Sequence, residues 1–157
     1  MEEVKVLTSN EENSAPVQYI VVKIGNEQYG INIKYIDNIV RSQRITRVPK
    51  AQAYYKGVIN LRGEIIPVMS VRIKLGLEPD VYTGKTRIII VKIESATIGV
   101  IVDEVREVVT LESADTEKVA RPANGMEDAA GRFISSIGKS KGELISLLDI
   151  VSLVEEG

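Results

Sequence analysis

The chain repeats itself, and this constrains its fold more than any other feature. Displaced by 69 residues, Tyr19-Ile20-Val21-Val22-Lys23-Ile24 falls on Ile88-Ile89-Ile90-Val91-Lys92-Ile93. Gly30 falls on Gly99, Ile31 on Val100, Ile33 on Val102, Ile36 on Val105, and Ile39-Val40 on Val108-Val109. Later the displacement becomes 79. Gly63-Glu64-Ile65-Ile66 then falls on Gly142-Glu143-Leu144-Ile145, and Val68-Met69-Ser70-Val71 on Leu147-Leu148-Asp149-Ile150. The ten extra residues lie in the polar stretch 112–131. Strand-rich chains share apolar alternation by chance, but matched glycines, a matched Val-Lys-Ile and matched helix caps weigh against chance. The chain reads as a duplicated unit.

Each unit is built from short β-type runs. In the first, Val17–Ile24 and 28–33 form a hairpin around Gly25-Asn26, and Ile36, Ile39 and Val40 begin a third strand. Arg47-Val48-Pro49 breaks it. Residues 58–61 and 64–69 then pair around the tight turn Arg62-Gly63. Ser70 caps a short helix over 71–75, stopped by Gly76. In the second, strands are expected over Arg87–Ile93, 98–102, 105–111, 133–137 and Glu143–Leu148, and Asp149 caps a last helix over 150–154. Residues 112–131, with Pro122 and Asn124-Gly125, read as a long loop.

Five short strands in some 65–70 residues cannot bury two faces as an open sheet, whereas closing into a small barrel removes the edges. So small a barrel has little core of its own. The expected fold is therefore all-β: two five-stranded barrels around a shared hydrophobic core, with short helices and a groove at the seam. Residues 1–16 are read as a mobile tail, 17–82 as the first barrel and 83–157 as the second, with exchange of strands between them left open.

Composition narrows the function. The chain has no histidine and no cysteine, which removes the commonest general base, the thiol nucleophile and the usual zinc ligands. No cofactor and no metal site are expected. The absence of cysteine fits a reducing cytoplasm. No basic start or long apolar run suggests a leader or a membrane span. The net charge is −2 with both signs interspersed, tryptophan is absent and Phe133 is the only phenylalanine. Neither a basic field nor an aromatic platform for nucleic acid is apparent.

The run Gly57-Val58-Ile59-Asn60-Leu61-Arg62-Gly63-Glu64-Ile65-Ile66-Pro67-Val68, followed by SVRIKLGL from Ser70, resembles the signature of CheW-type chemotaxis coupling proteins. IGVIVDEVREVV, from Ile98, resembles the family's second marked segment, and Tyr29-Gly30-Ile31 also matches. The resemblance runs from about Val17 to Val154, nearly the whole chain. It implies two SH3-like barrels, no catalysis and no cofactor. It also implies two partners: the regulatory domain of the histidine kinase CheA, itself of similar fold, and the cytoplasmic tip of methyl-accepting chemoreceptors. A cytoplasmic protein recruited to membrane-associated receptor arrays would follow, with no insertion into the membrane.

Residue roles are assigned in that light. Arg62 is aimed from the hairpin tip and is a candidate receptor contact, with Asn60 supporting the turn. Gly57 and Gly63 are expected to need positive φ or a close backbone approach, and a side chain at Gly57 could block a docking helix. Ile33, Ile36, Asn38 and Ile39, with Val102 and Val105, are the candidate receptor-facing seam. Val40, Arg41, Arg44 and Ile45 are assigned to the kinase-facing side of the first barrel, and Asp115, Glu117 and Val119 to a second kinase contact. Two alternatives have their own signatures: a small barrel that binds nucleic acid, and hydrolysis by Asp103 with Glu107.

Overall fold

A computed structural model of the chain describes residues 15–119 and 131–155. Of the expected tail only Ala15 and Pro16 fall within this range, and Pro122 and Asn124-Gly125 lie outside it. The strands are β1 (Val17–Ile24), β2 (Glu27–Asn32), β3 (Ile36–Arg41), β4 (Tyr55–Leu61) and β5 (Glu64–Ser70), followed by the helix α1 (Val71–Lys74). Next come β6 (Arg87–Ile93), β7 (Ala96–Val102), β8 (Glu104–Leu111), β9 (Thr116–Lys118), β10 (Ile134–Ser140), β11 (Glu143–Leu148) and the helix α2 (Ile150–Glu155).

Two sheets form, in the orders β8-β1-β2-β11-β10-β9 and β3-β6-β7-β5-β4. Mapped through the repeat, β3, β6, β7, β5 and β4 correspond to β8, β1, β2, β11 and β10, so the two sheets have one topology. Neither coincides with residues 17–82 or 83–157. The chain crosses from one sheet to the other after β2 and again after β7, so the two halves exchange strands reciprocally. The first sheet has a sixth strand, β9, which the sequence reads as loop.

The duplication extends to single hydrogen bonds. Ser70 N donates to Tyr54 O at 2.7 Å, and Asp149 N donates to Phe133 O at 2.7 Å, an identical pair under the 79-residue displacement. Ser70 Oγ accepts from Ile73 N, and Asp149 Oδ1 accepts from Ser152 N, so both helix caps form as expected. The parallel pairs Val68↔Gly99 and Leu147↔Gly30 also correspond.

Three apolar clusters follow from this topology. Ile59, Ile66, Val68, Ile88, Ile90 and Ile101 fill the β3–β7 barrel. Val21, Val109, Leu111, Ile145 and Leu147 fill the other. The largest cluster draws on both sheets and both helices, including Val22, Ile31, Met69, Val71, Ile89, Val100, Leu148 and Leu153. Strand alternation sends successive residues into a barrel and into this shared layer. In β6, Ile88 and Ile90 point into the barrel while Ile89 and Val91 face the middle.

The connector between halves is tied down. Ser70 Oγ donates to Asp80 Oδ2, and Arg72 Nη1 donates to Glu78 O at 3.1 Å.

Candidate functional site

The β4–β5 turn places Arg62 at φ 55° and Gly63 at φ 85°, the two positive values that a tight type I′ turn requires. Asn60 Oδ1 accepts from Gly63 N at 2.9 Å, which locks the turn. Arg62 is exposed at its tip. The β10–β11 turn repeats the geometry with Lys141 at φ 53° and Gly142 at φ 81°.

The repeat also places one aliphatic residue outside each barrel. Ile65 is 59% exposed and its counterpart Leu144 is 65% exposed, while their neighbours Ile66 and Ile145 are buried. A single exposed aliphatic side chain is ordinary. Two at one register of a duplicated hairpin form a pair of equivalent apolar ends. The displacement by 79 aligns them in the sequence, but nothing in the apolar pattern alone tells an outward aliphatic from a core one.

Around Leu144 lies a cleft of about 340 Å³, lined also by Asp115, Glu117, Ile137 and Lys139. Asp115 sits in a short 3-10 turn, where its Oδ2 accepts from Glu112 N. Glu117 belongs to β9, and Val119 is exposed, donating its N–H to Ser135 O. Asp115 and Glu117 thus come together with Leu144. On the other barrel, Ile45 lines a cleft of about 530 Å³ with residues of the β3–β4 connection. Val40 and Ile45 are half-buried against the barrel core, and Arg41 and Arg44 are exposed.

The seam residues separate. Ile36, Ile39 and Val105 are half-buried against the shared core, and Asn38 Oδ1 accepts from Ile39 N. Ile33 is 37% exposed on a 3-10 turn, and Val108 is also exposed. Val102 is 0% exposed within the shared core, so its assignment to a receptor-facing surface is corrected. Val102 is the repeat mate of Ile33, but the chain turns outward at Ile33 and ends a central strand at Val102. Gly57 is buried against the Thr46 carbonyl, so a side chain there would first meet the chain's own backbone.

Asp103 is occupied structurally. Arg72 Nε and Nη2 donate to its two oxygens at 2.9 and 2.7 Å, and Gly25 N donates to Oδ2 at 2.8 Å. This clasp joins the β1–β2 turn, α1 and the β7–β8 crossing. Partial burial pushes the Asp103 carboxyl up, but the Arg72 and Gly25 hydrogen bonds and the charges of Arg72 and Lys23 outweigh it, leaving the carboxyl below its ordinary 3.8. Glu107 lies near Lys141 instead, at 3.8 Å. With Asp103 bound by Arg72, the two acids do not form a hydrolytic pair. Among the described residues, no three acids converge on a metal position, and no helix is long and apolar enough to cross a membrane.

The clasp carries a prediction. Its stabilisation is complete above the ordinary carboxylate range and is lost as the pH falls through the lowered value. Urea unfolding at falling pH should show this loss. Asp103→Asn should remove it and cost about 1–2 kcal/mol near neutral pH, modest because the pair is partly solvent-screened. An unchanged acid profile in the variant would contradict the clasp.

Residues 18–157 match the CheW-like domain family. The chain is 31% identical to the chemotaxis protein CheW of Bacillus subtilis (strain 168) over 137 residues, covering 87% of this chain and 86% of that protein. It is 32% identical to CheW of Thermotoga maritima over 134 residues, 85% of each. Among solved structures, it is similar to the scaffolding protein TtCheW of Thermoanaerobacter tengcongensis, with a TM-score of 0.78 and 31% identity, covering 89% of this chain and 93% of that one.

Proposed function

This chain belongs to the CheW-like domain family, and on that premise we propose that it is a non-catalytic adaptor that couples transmembrane chemoreceptors to the histidine kinase CheA in signalling arrays. The observation that carries the reading is the pair of equivalent apolar ends, Ile65 on one barrel and Leu144 on the other. A protein with one sticky end forms a pair, whereas one with two equivalent ends can be extended. The kinase's regulatory domain, expected to be built of similar barrels, suits both ends. Asp115 and Glu117 contribute at the Leu144 end, and Val40, Arg41, Arg44 and Ile45 flank the β3–β7 barrel. The receptor tip, a helical hairpin, is assigned to the seam face with Ile33, Ile36, Asn38, Ile39 and Val105, where an apolar helix stripe could be received. The adaptor transmits receptor state if that state changes its contacts with differential free energy.

Arg62 tests the recognition role. It is exposed, and its turn is held by Asn60 and Gly63 without its guanidinium. Arg62→Ala should therefore move the melting temperature by no more than about 2 °C. Receptor-dependent kinase activation in a reconstituted array should fall severalfold. A matching fall in stability and in affinity for both partners would make Arg62 structural. Retention of neither the kinase regulatory domain nor a receptor fragment at about micromolar concentration would defeat the whole reading.

A further inference from the structure

The stretch 38–63 contains Arg41, Arg44, Arg47, Lys50, Lys56 and Arg62 and no acid. Those six positive charges sit in a chain of net charge −2, so the remaining residues carry a net eight negative charges. The fold gathers part of this stretch into one place. The cleft of about 530 Å³ on the β3–β7 barrel is lined by Arg47, Lys50 and Lys56 together with Ile45, Val48 and Tyr82, and none of its lining residues is acidic. Val48 and Tyr82 are both about half exposed. The nearest carboxylate in sequence to Tyr82, that of Asp80, is not among the lining residues and accepts from Ser70 Oγ. The β3–β4 connection that lines it is anchored, because Thr46 and Val58 exchange two backbone hydrogen bonds of 2.8 Å.

We infer that this cleft is a docking site for a short acidic peptide segment of a partner protein, with carboxylates on Arg47, Lys50 and Lys56 and an aliphatic or aromatic side chain against Ile45, Val48 and Tyr82. Charge complementarity selects the occupant. Three cations around an apolar patch match a segment that alternates acidic and apolar residues. The negative balance over the rest of the chain repels any polyanion that extends beyond the cleft, which disfavours a nucleic acid or an anionic membrane. The inference goes beyond the coupling reading, since it rests on this cleft alone and is tested without kinase or receptor.

The experiment titrates the full isotopically labelled chain with a synthetic peptide of about ten residues alternating Glu and Leu. Amide resonances over 42–56 and at Tyr82 should shift saturably. Raising the salt from about 50 to about 300 mM should weaken binding severalfold. K50E/K56E should lower affinity at least about tenfold with its melting curve preserved, and R47E alone should lower it measurably. A peptide with Lys in place of Glu should not bind. The inference is overturned if no shift appears by about 1 mM peptide, or if K50E/K56E binds like the parent. It is also overturned if a ten-nucleotide single-stranded DNA or a phosphatidylserine vesicle binds more tightly than the peptide at equal salt.

Discussion

Gly57→Ala is expected to destabilise the chain by at least about 3 kcal/mol, lowering the melting temperature by roughly 6–12 °C. Gly57 has φ 139°, and a Cβ built on it would lie 2.0 Å from the Thr46 carbonyl oxygen and 2.7 Å from its carbon. Neither atom can give way cheaply. Both belong to backbone held by the Thr46–Val58 bridge, and the bulge between Tyr55 and Gly57 fixes the strand on the other side. Gly63→Ala is the matched control. Gly63 also has positive φ, but nothing lies within 4 Å of its Cβ position, so only backbone strain of about 1 kcal/mol applies. Thermal or urea unfolding of the two variants separates close approach from strain. Equal losses would show that the Thr46 contact does not govern Gly57. Because Thr46 lies between the lining residues Ile45 and Arg47, Gly57→Ala should loosen that side of the cleft as well.

Leu144→Asp and Ile65→Asp are expected to each remove one of two kinase contacts. The parent chain should bind two copies of the kinase regulatory domain, each single variant one, and the double variant none. An apolar anchor at the centre of such an interface contributes at least about 2 kcal/mol, or roughly 30-fold in affinity. Both side chains are more than half exposed, so the fold should lose no more than about 1 kcal/mol, the spread of strand preferences at exposed sites. Sedimentation of mixtures reads the stoichiometry directly. If Leu144→Asp weakens both sites equally, the two ends are not independent.

Much of the fold was legible because its signals are local. Val17–Ile24, Arg87–Ile93 and Glu143–Leu148 form strands at those limits, since β-branched runs between turn residues have one reading. Ser70 and Asp149 cap helices for the same reason: a short polar side chain precedes an apolar run and reaches the backbone N–H three residues on. Strand exchange was not legible. When β3 and β8 share one pattern of apolar residues, pairing either with β1 or β6 satisfies it, and only the path of the chain at Ile33 and Asp103 decides. β9 was missed because Thr116-Glu117-Lys118 has no apolar residue, and its pairing with Ser136, Ile137 and Gly138 is long-range. Val102 and Ile33 show that repeat mates need not share surroundings, one being buried and the other exposed. The basic cleft was hidden by the near-neutral total, although the acid-free run from Asn38 to Gly63 was there to be read.

The most direct test of the account mixes the chain with the kinase regulatory domain and a receptor-tip fragment and measures the mass of the largest species by light scattering on a sizing column. Simultaneous use of separate surfaces predicts a single complex containing all three, heavier than either binary complex and undiminished by excess receptor fragment. Displacement of one partner by the other would contradict it.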